Sequence, residues 1–138
     1  MDRTTLGYWI ATGLFCIAFT GGGLAHFTHQ PMMAESMARL GYPPFVMTIL
    51  GTAKLLGVVA LLSPRRPLLK EWAYAGFSFN LFGANASHLF AGDPVSEFVG
   101  PSALLAVGAA SYLLRPEDRR LPQSIRTFAS ATERKESQ

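Results

Sequence analysis

Four stretches of the chain are apolar over about the 20 residues that a helix needs to cross a hydrocarbon core. Tyr8–Phe27, Phe45–Ser63 and Val95–Leu114 carry almost no charge, and Leu69–Ala91 carries its charges at its N-terminal end. Short polar links separate them. Ser63-Pro64-Arg65-Arg66-Pro67 leaves room only for a hairpin, and Gly92-Asp93-Pro94 parts the third stretch from the fourth. The pattern predicts an all-α polytopic membrane protein, an antiparallel four-transmembrane-helix bundle. Between the first two stretches Pro31 opens a segment, Met32–Leu40, in which Met33, Met37 and Leu40 share one helical face. That spacing predicts a short interfacial helix in the first outer loop. Residues 1–120 then form one membrane domain, and the polar residues 121–138 are expected to be a mobile cytoplasmic tail.

Charge sharpens this picture. Only 15% of the 138 residues are charged, against roughly 25% in soluble domains. A net charge of +3 would be compatible with nucleic-acid binding, but the basic residues fall elsewhere than in a patch. Arg3 precedes the first stretch; Arg65, Arg66 and Lys70 lie between the second and third; Arg115, Arg119, Arg120, Arg126, Arg134 and Lys135 follow the fourth. The other two links hold one basic residue, Arg39, with the acids Glu35, Asp93 and Glu97. This alternation is the positive-inside rule for a chain with both ends in the cytoplasm. It points to the lipid bilayer as partner, in a bacterial inner membrane, with no nucleic acid. Arg3, the apolar run and Gly23-Leu24-Ala25 also resemble a cleaved signal peptide, but the run is long for one. The lone cysteine, Cys16, excludes an internal disulfide or a CxxC redox pair and reads as a small buried hydrophobe.

Polar residues at membrane depth each need a partner or a wet cavity. Lys54 lies about nine residues from either end of its stretch, near the midplane, where a lysine costs roughly 2.5–3.5 kcal/mol. Its candidate neighbours on the third stretch are Asn80, Asn85 and His88, whereas Glu71 sits too deep toward the inner side for a direct bridge. Two polar stripes follow from helical spacing. Glu71, Tyr74, Ser78 and Asn85, with His88 at the margin, are expected to line a cavity; Gly76, Asn80, Gly83 and Ser87 are expected to be a close-packing face. On the first stretch Thr12, Cys16, Phe19, Gly23 and His26 share one side, which brings His26 to the depth of His88. The candidate ligand-binding residues are therefore Lys54, Asn85, His88, Glu71, Asn80 and His26. Each also has a structural reading: a polar packing contact for Lys54, interfacial hydrogen bonds for the histidines, and pairing with Arg65, Arg66 or Lys70 for Glu71. The two histidines with Asp93 have no diagnostic metal spacing, so no metal is assigned. Walker, GxGxxG, HExxH and GxSxG motifs are absent from the sequence, and no catalytic residue is assigned.

The segments Gly51-Thr52-Ala53-Lys54-Leu55-Leu56-Gly57, Leu69-Lys70-Glu71-Trp72-Ala73-Tyr74-Ala75-Gly76-Phe77, Ala86-Ser87-His88 and Ser111-Tyr112-Leu113-Leu114-Arg115-Pro116 together resemble the DoxX-like family of small four-helix membrane proteins. The resemblance runs from about Tyr8 to Arg120 and implies an uncleaved first span. It also implies an association with membrane redox systems: quinone-linked thiosulfate oxidation in archaea, and a mycobacterial complex with superoxide dismutase and a sulfurtransferase. Other relatives look like assembly chaperones for membrane receptors. Two functions stay open. One is a redox-associated membrane subunit that binds quinone or another lipophilic molecule within the bundle, beside a membrane or redox protein partner. The other is a non-enzymatic assembly factor or chaperone acting through helix packing on a partner or, as a homo-oligomer, on copies of itself. A transporter is a weaker reading, since the chain offers no pair of broken helices.

Overall fold

A computed structural model of the protein describes residues 1–122; the expected tail over 121–138 falls almost wholly outside them. The described residues form five α-helices and a 3₁₀ turn, with no strand: α1 (Arg3–Phe27), α2 (Pro31–Arg39), α3 (Phe45–Leu62), α4 (Pro67–Ala91), α5 (Ser96–Leu113) and the turn Glu117–Arg119. Local chemistry sets the ends. The Asp2 carboxylate accepts the Thr5 N–H at 2.7 Å, which satisfies one of the free donors of a helix start. So α1 begins at Arg3, before the apolar run itself. Prolines open α2 and α4, where a missing N–H costs nothing. Gly92, at φ +70°, closes α4 in the left-handed conformation, and the Asp93 N–H returns to the His88 carbonyl at 3.0 Å.

The four long helices pack in a ring, α1 on α3 and α5, and α4 on the same two. Phe15, Phe19 and Phe77 fill its middle with ring centroids 4.2–5.2 Å apart; the two pairs that Phe15 makes, at 4.7 and 5.2 Å, fall inside the range of favourable aromatic pairs. Where α1 crosses α3 the backbones themselves meet: a Cβ on Gly51 would lie 2.6 Å from the Phe27 nitrogen and 2.8 Å from the Gly23 oxygen. Toward the end that carries the α3–α4 hairpin a buried hydroxyl chain joins three helices. Ser111 Oγ lies 2.7 Å from both Thr12 Oγ1 and the Tyr74 hydroxyl.

Basic residues at the hairpin end do not all lie at the surface. Lys70 is 1% exposed; its ammonium donates to the carbonyls of Leu61, at 2.9 Å, and Ser63. The hairpin sets the first turn of α4 beside the last turn of α3, whose carbonyls have no intrahelical partners and form the negative end of the helix dipole. Arg119 likewise donates to the Tyr8 hydroxyl and the Leu61 carbonyl. The hairpin end is thus tied by cations to backbone oxygens.

By length and composition α1 and α3 are apolar enough to cross a membrane, and only 39% and 28% of their apolar windows are buried in the protein. A core helix of a soluble protein would be mostly buried, so these apolar faces look outward. The other two long helices carry more polar residues, Glu71, Asn80, Asn85 and His88 in α4 and Ser96, Glu97 and Ser102 in α5. Their outer faces are nonetheless apolar: Trp72, Phe79, Phe82 and Leu89 on α4 and Val99 and Leu113 on α5 are all exposed.

Candidate functional site

A cavity of about 330 Å³ opens between α3 and α4 in the half away from their hairpin, beneath α2. Lys54, His26, Asn80 and His88 line it together with Met33, Met37 and Leu40, the three residues that share the apolar face of the α2 segment. A second cavity of about 270 Å³ shares Leu50, Lys54 and Asn80 with the first and continues inward past Gly57, Trp72 and Phe77. Lys54 therefore stands where two chambers join.

The hydrogen bonding around Lys54 leaves its ammonium short of an acceptor. His26 Nδ1 lies 2.8 Å from the Gly22 carbonyl oxygen. A carbonyl can only accept, so Nδ1 carries the hydrogen and donates it. That nitrogen cannot then accept from Lys54 Nζ, 3.4 Å away. No other hydrogen bond and none of the ion pairs among the described residues involves this ammonium. Its remaining favourable contact is the Phe19 ring, with Nζ 6.0 Å from the centroid, at the outer limit of a cation–π interaction.

Helix geometry decides which expected neighbours reach Lys54. Asn80 does. Asn85 follows it by five residues, about 140° around the helix, and is absent from the linings of both Lys54 chambers. Its Oδ1 is buried without a partner. The stripe Gly76, Asn80, Gly83 and Ser87, expected to pack closely, instead faces these cavities, and a Cβ on Gly76 or Gly83 would meet nothing within 4 Å. Glu71 lies at the other end and lines a separate space with Tyr74 and Ser78. Its partner is Arg115, at 2.8 Å, rather than Arg65, Arg66 or Lys70. Forty-four positions separate the pair, and only the return of α5 beside α4 unites them. Cys16 is buried. Among the described residues no group of three or more His, Cys, Asp and Glu is placed to hold a metal.

At the rim beneath α2, His88 and Asp93, grouped in the sequence only as a metal set without diagnostic spacing, are joined by Arg39, which sequence reasoning missed. Asp93 Oδ2 accepts from His88 Nδ1 at 2.7 Å, and its other oxygen is bonded to Arg39 at the end of α2. The Tyr42 hydroxyl lies 2.6 Å from Ser87 Oγ. These contacts tie α2 and its loop down over the Lys54 cavity. The hydrogen bonds from His88 first, and from Arg39, hold the Asp93 carboxyl below its ordinary value. A depressed folded value means that the tether's contribution is complete at neutral pH and is lost only as pH falls through that depressed value. At pH 7, Asp93→Asn should therefore reproduce the strongly acidic state and speed amide hydrogen exchange across Met32–Arg39. Unchanged exchange would remove the tether from the description.

A family model described as the DoxX-like family matches residues 10–111, from within α1 to near the end of α5. No curated protein matches the chain, and no solved structure does. One family model thus covers most of the sequence, including the residues of both chambers and most of the four long helices around them, and the protein belongs to the DoxX-like family.

Proposed function

We propose that this membrane protein crosses the bilayer as an antiparallel four-span bundle, with both termini in the cytoplasm of a bacterial cell, and holds a lipophilic molecule beside Lys54 as a redox-associated subunit. Several observations support the four spans. The outer faces of α4 and α5 are apolar like those of α1 and α3. The shorter two of the four long helices, α3 and α5, have 18 residues, about 27 Å of rise, close to the core thickness. Arg3, Arg65, Arg66, Arg115, Arg119 and Arg120 gather at one end, as the positive-inside rule requires of the cytoplasmic side.

One observation carries the ligand reading: an ammonium at membrane depth that opens into an apolar-walled cavity and lacks an acceptor among the described residues. What fits there is a molecule with an apolar body and an acceptor oxygen at its head, a quinone before others. Val46, Leu50 and Phe79 would flank the body, and Lys54 would donate to the oxygen and favour negative charge on it. When bound, a quinone would supply reversible two-electron transfer; the chain's own part is to orient it and keep bulk water away. The test is the quinone content of protein purified in lipid nanodiscs, followed by titration with a short-chain quinone. Wild type should retain or bind quinone, and Lys54→Met should weaken binding by roughly tenfold or more, about 1.4 kcal/mol. Wild-type protein that neither carries nor binds quinone would overturn the reading.

A further inference from the structure

The chamber that continues from Lys54 toward the hairpin is a furrow of about 270 Å³ between α3 and α4. Its width comes from small residues, Ala53, Gly57 and Ala60 on α3 facing Ala73 and Gly76 on α4. The two glycines act differently. A Cβ on Gly57 would fall 2.5 Å from the Phe77 ring, so that ring, part of the buried core, is seated on α3 and forms the back wall. A Cβ on Gly76 would meet nothing within 4 Å, and the space before it is open. The furrow stops at Ala60 and Leu69, where the Lys70 ammonium donates to the Leu61 carbonyl at 2.9 Å and holds the two helices together. Leu56 and Trp72 stand at its margins, 65% and 68% exposed, so its long side faces outward from the bundle.

Polarity divides the two chambers. His26, Tyr42, Ser87 and His88 line the one beneath α2. Of the residues that line the furrow, the Trp72 indole aside, only Lys54 and Asn80 are polar, and both also line the first chamber. A head group held at Lys54 therefore has polar neighbours on one side and hydrocarbon walls on the other. Lipid tails are as apolar as the furrow, so a free acyl chain gains little by leaving the bilayer for it. A chain joined to a head at Lys54 is in a different position. Its translational freedom is already lost when the head binds, so its contacts with the furrow add to the affinity.

We propose that the furrow holds the hydrocarbon chain of the molecule whose head meets Lys54, and that Gly76 is the residue that keeps this path open. This rests on the Lys54 reading and narrows its ligand to a head with an acceptor oxygen that carries a flexible chain, as against a compact lipophile. From Asn80 to Leu69 α4 advances eleven residues, roughly 16 Å of rise. A chain up to that length lies against protein throughout. A longer one leaves between Leu56 and Trp72 into the bilayer.

The test uses the full chain in lipid nanodiscs and two benzoquinones with the same head, one bearing a methyl group and the other a decyl chain that ends in a photoactivatable diazirine. Labelling that excess methylquinone displaces reports chains whose heads sit at Lys54. Peptide mass spectrometry should place that labelling on residues 56–60 and 69–73. Gly76→Phe puts a ring into the furrow at an exposed position with open space around it. It should weaken binding of the decyl probe by roughly tenfold, about 1.4 kcal/mol, and leave methylquinone binding as it was. Ala86→Phe, exposed on the same helix and outside both chambers, should change neither. Displaceable label on Met33, Met37 or Ser87 would mean that the chain points the other way and would overturn the proposal, as would equal decyl affinity in wild type and Gly76→Phe. The two levels separate on the methyl probe. Wild type that binds no methylquinone sinks the Lys54 reading and the furrow with it; methylquinone binding with the chain labelling elsewhere sinks the furrow alone.

Discussion

Lys54→Met is expected to yield a protein that is harder to unfold and no longer holds its lipophilic ligand. A central lysine costs roughly 2.5–3.5 kcal/mol in a membrane helix. The usual compensation, an acceptor, is missing among the described residues, because His26 Nδ1 is committed to the Gly22 carbonyl. A cation–π contact at the distance of Phe19 returns about 0.5–2 kcal/mol. Methionine keeps the length and the apolar stem and removes the charge, so a net gain of about 1 kcal/mol should follow. Lys70→Met should do the reverse. That ammonium is fully engaged, and its loss leaves the Ser63 carbonyl without its Lys70 donor and the Leu61 carbonyl with Arg119 alone, at about 1–3 kcal/mol for a buried group left unpaired. Thermal unfolding of both variants in one detergent, beside a measurement of bound ligand, checks the pair. Destabilisation by Lys54→Met with ligand retained would mean that Lys54 is a packing contact and not a binding group.

The largest loss is expected from Gly51→Val. Gly51 is the point where α3 touches the backbone of α1, with the Phe27 nitrogen and Gly23 oxygen inside 3 Å of any added Cβ. Backbone atoms cannot rotate away as a side chain can, so the two helices must separate along their length. Overpacking typically costs 1–3 kcal/mol where side chains can adjust. Here Gly51→Ala should cost about 3 kcal/mol, and valine should prevent accumulation of folded protein. Gly13→Ala is the matched control, because a Cβ there meets nothing within 4 Å and alanine favours the helix by about 0.5–1 kcal/mol. Membrane-fraction yield and melting temperature read both. Comparable behaviour of the two variants would mean that α1 and α3 are not held this closely.

What the sequence revealed follows from what repeats along it. Apolar length and proline–glycine punctuation mark the helices, since both act within a few residues. The face shared by Thr12, Cys16, Phe19, Gly23 and His26 is indeed the buried face of α1, because helical periodicity alone decides it. Features formed between distant segments were hidden. Lys70 sits among Arg65, Arg66 and Trp72, a context that resembles an interfacial anchor; its burial depends on the hairpin returning it to the end of α3. The pairing of Glu71 with Arg115 and the chain from Thr12 through Ser111 to Tyr74 likewise need the ring of helices to close. For α4 the polar stripes were visible, but which one faces Lys54 depends on how the helix is rotated in the bundle. Asn80 and Asn85 are interchangeable in a sequence and lie on different sides of a helix.

The tie of Arg39 to Asp93 and His88 also bears on how a molecule reaches Lys54. With α2 held across the outer rim, a solute arriving from the aqueous side meets a covered surface, whereas one dissolved among the acyl chains can approach sideways along the seam of α3 and α4. Partition into the bilayer would then act as the first filter. Discrimination among candidate ligands would begin in the lipid phase, before any of them met a polar group of the protein.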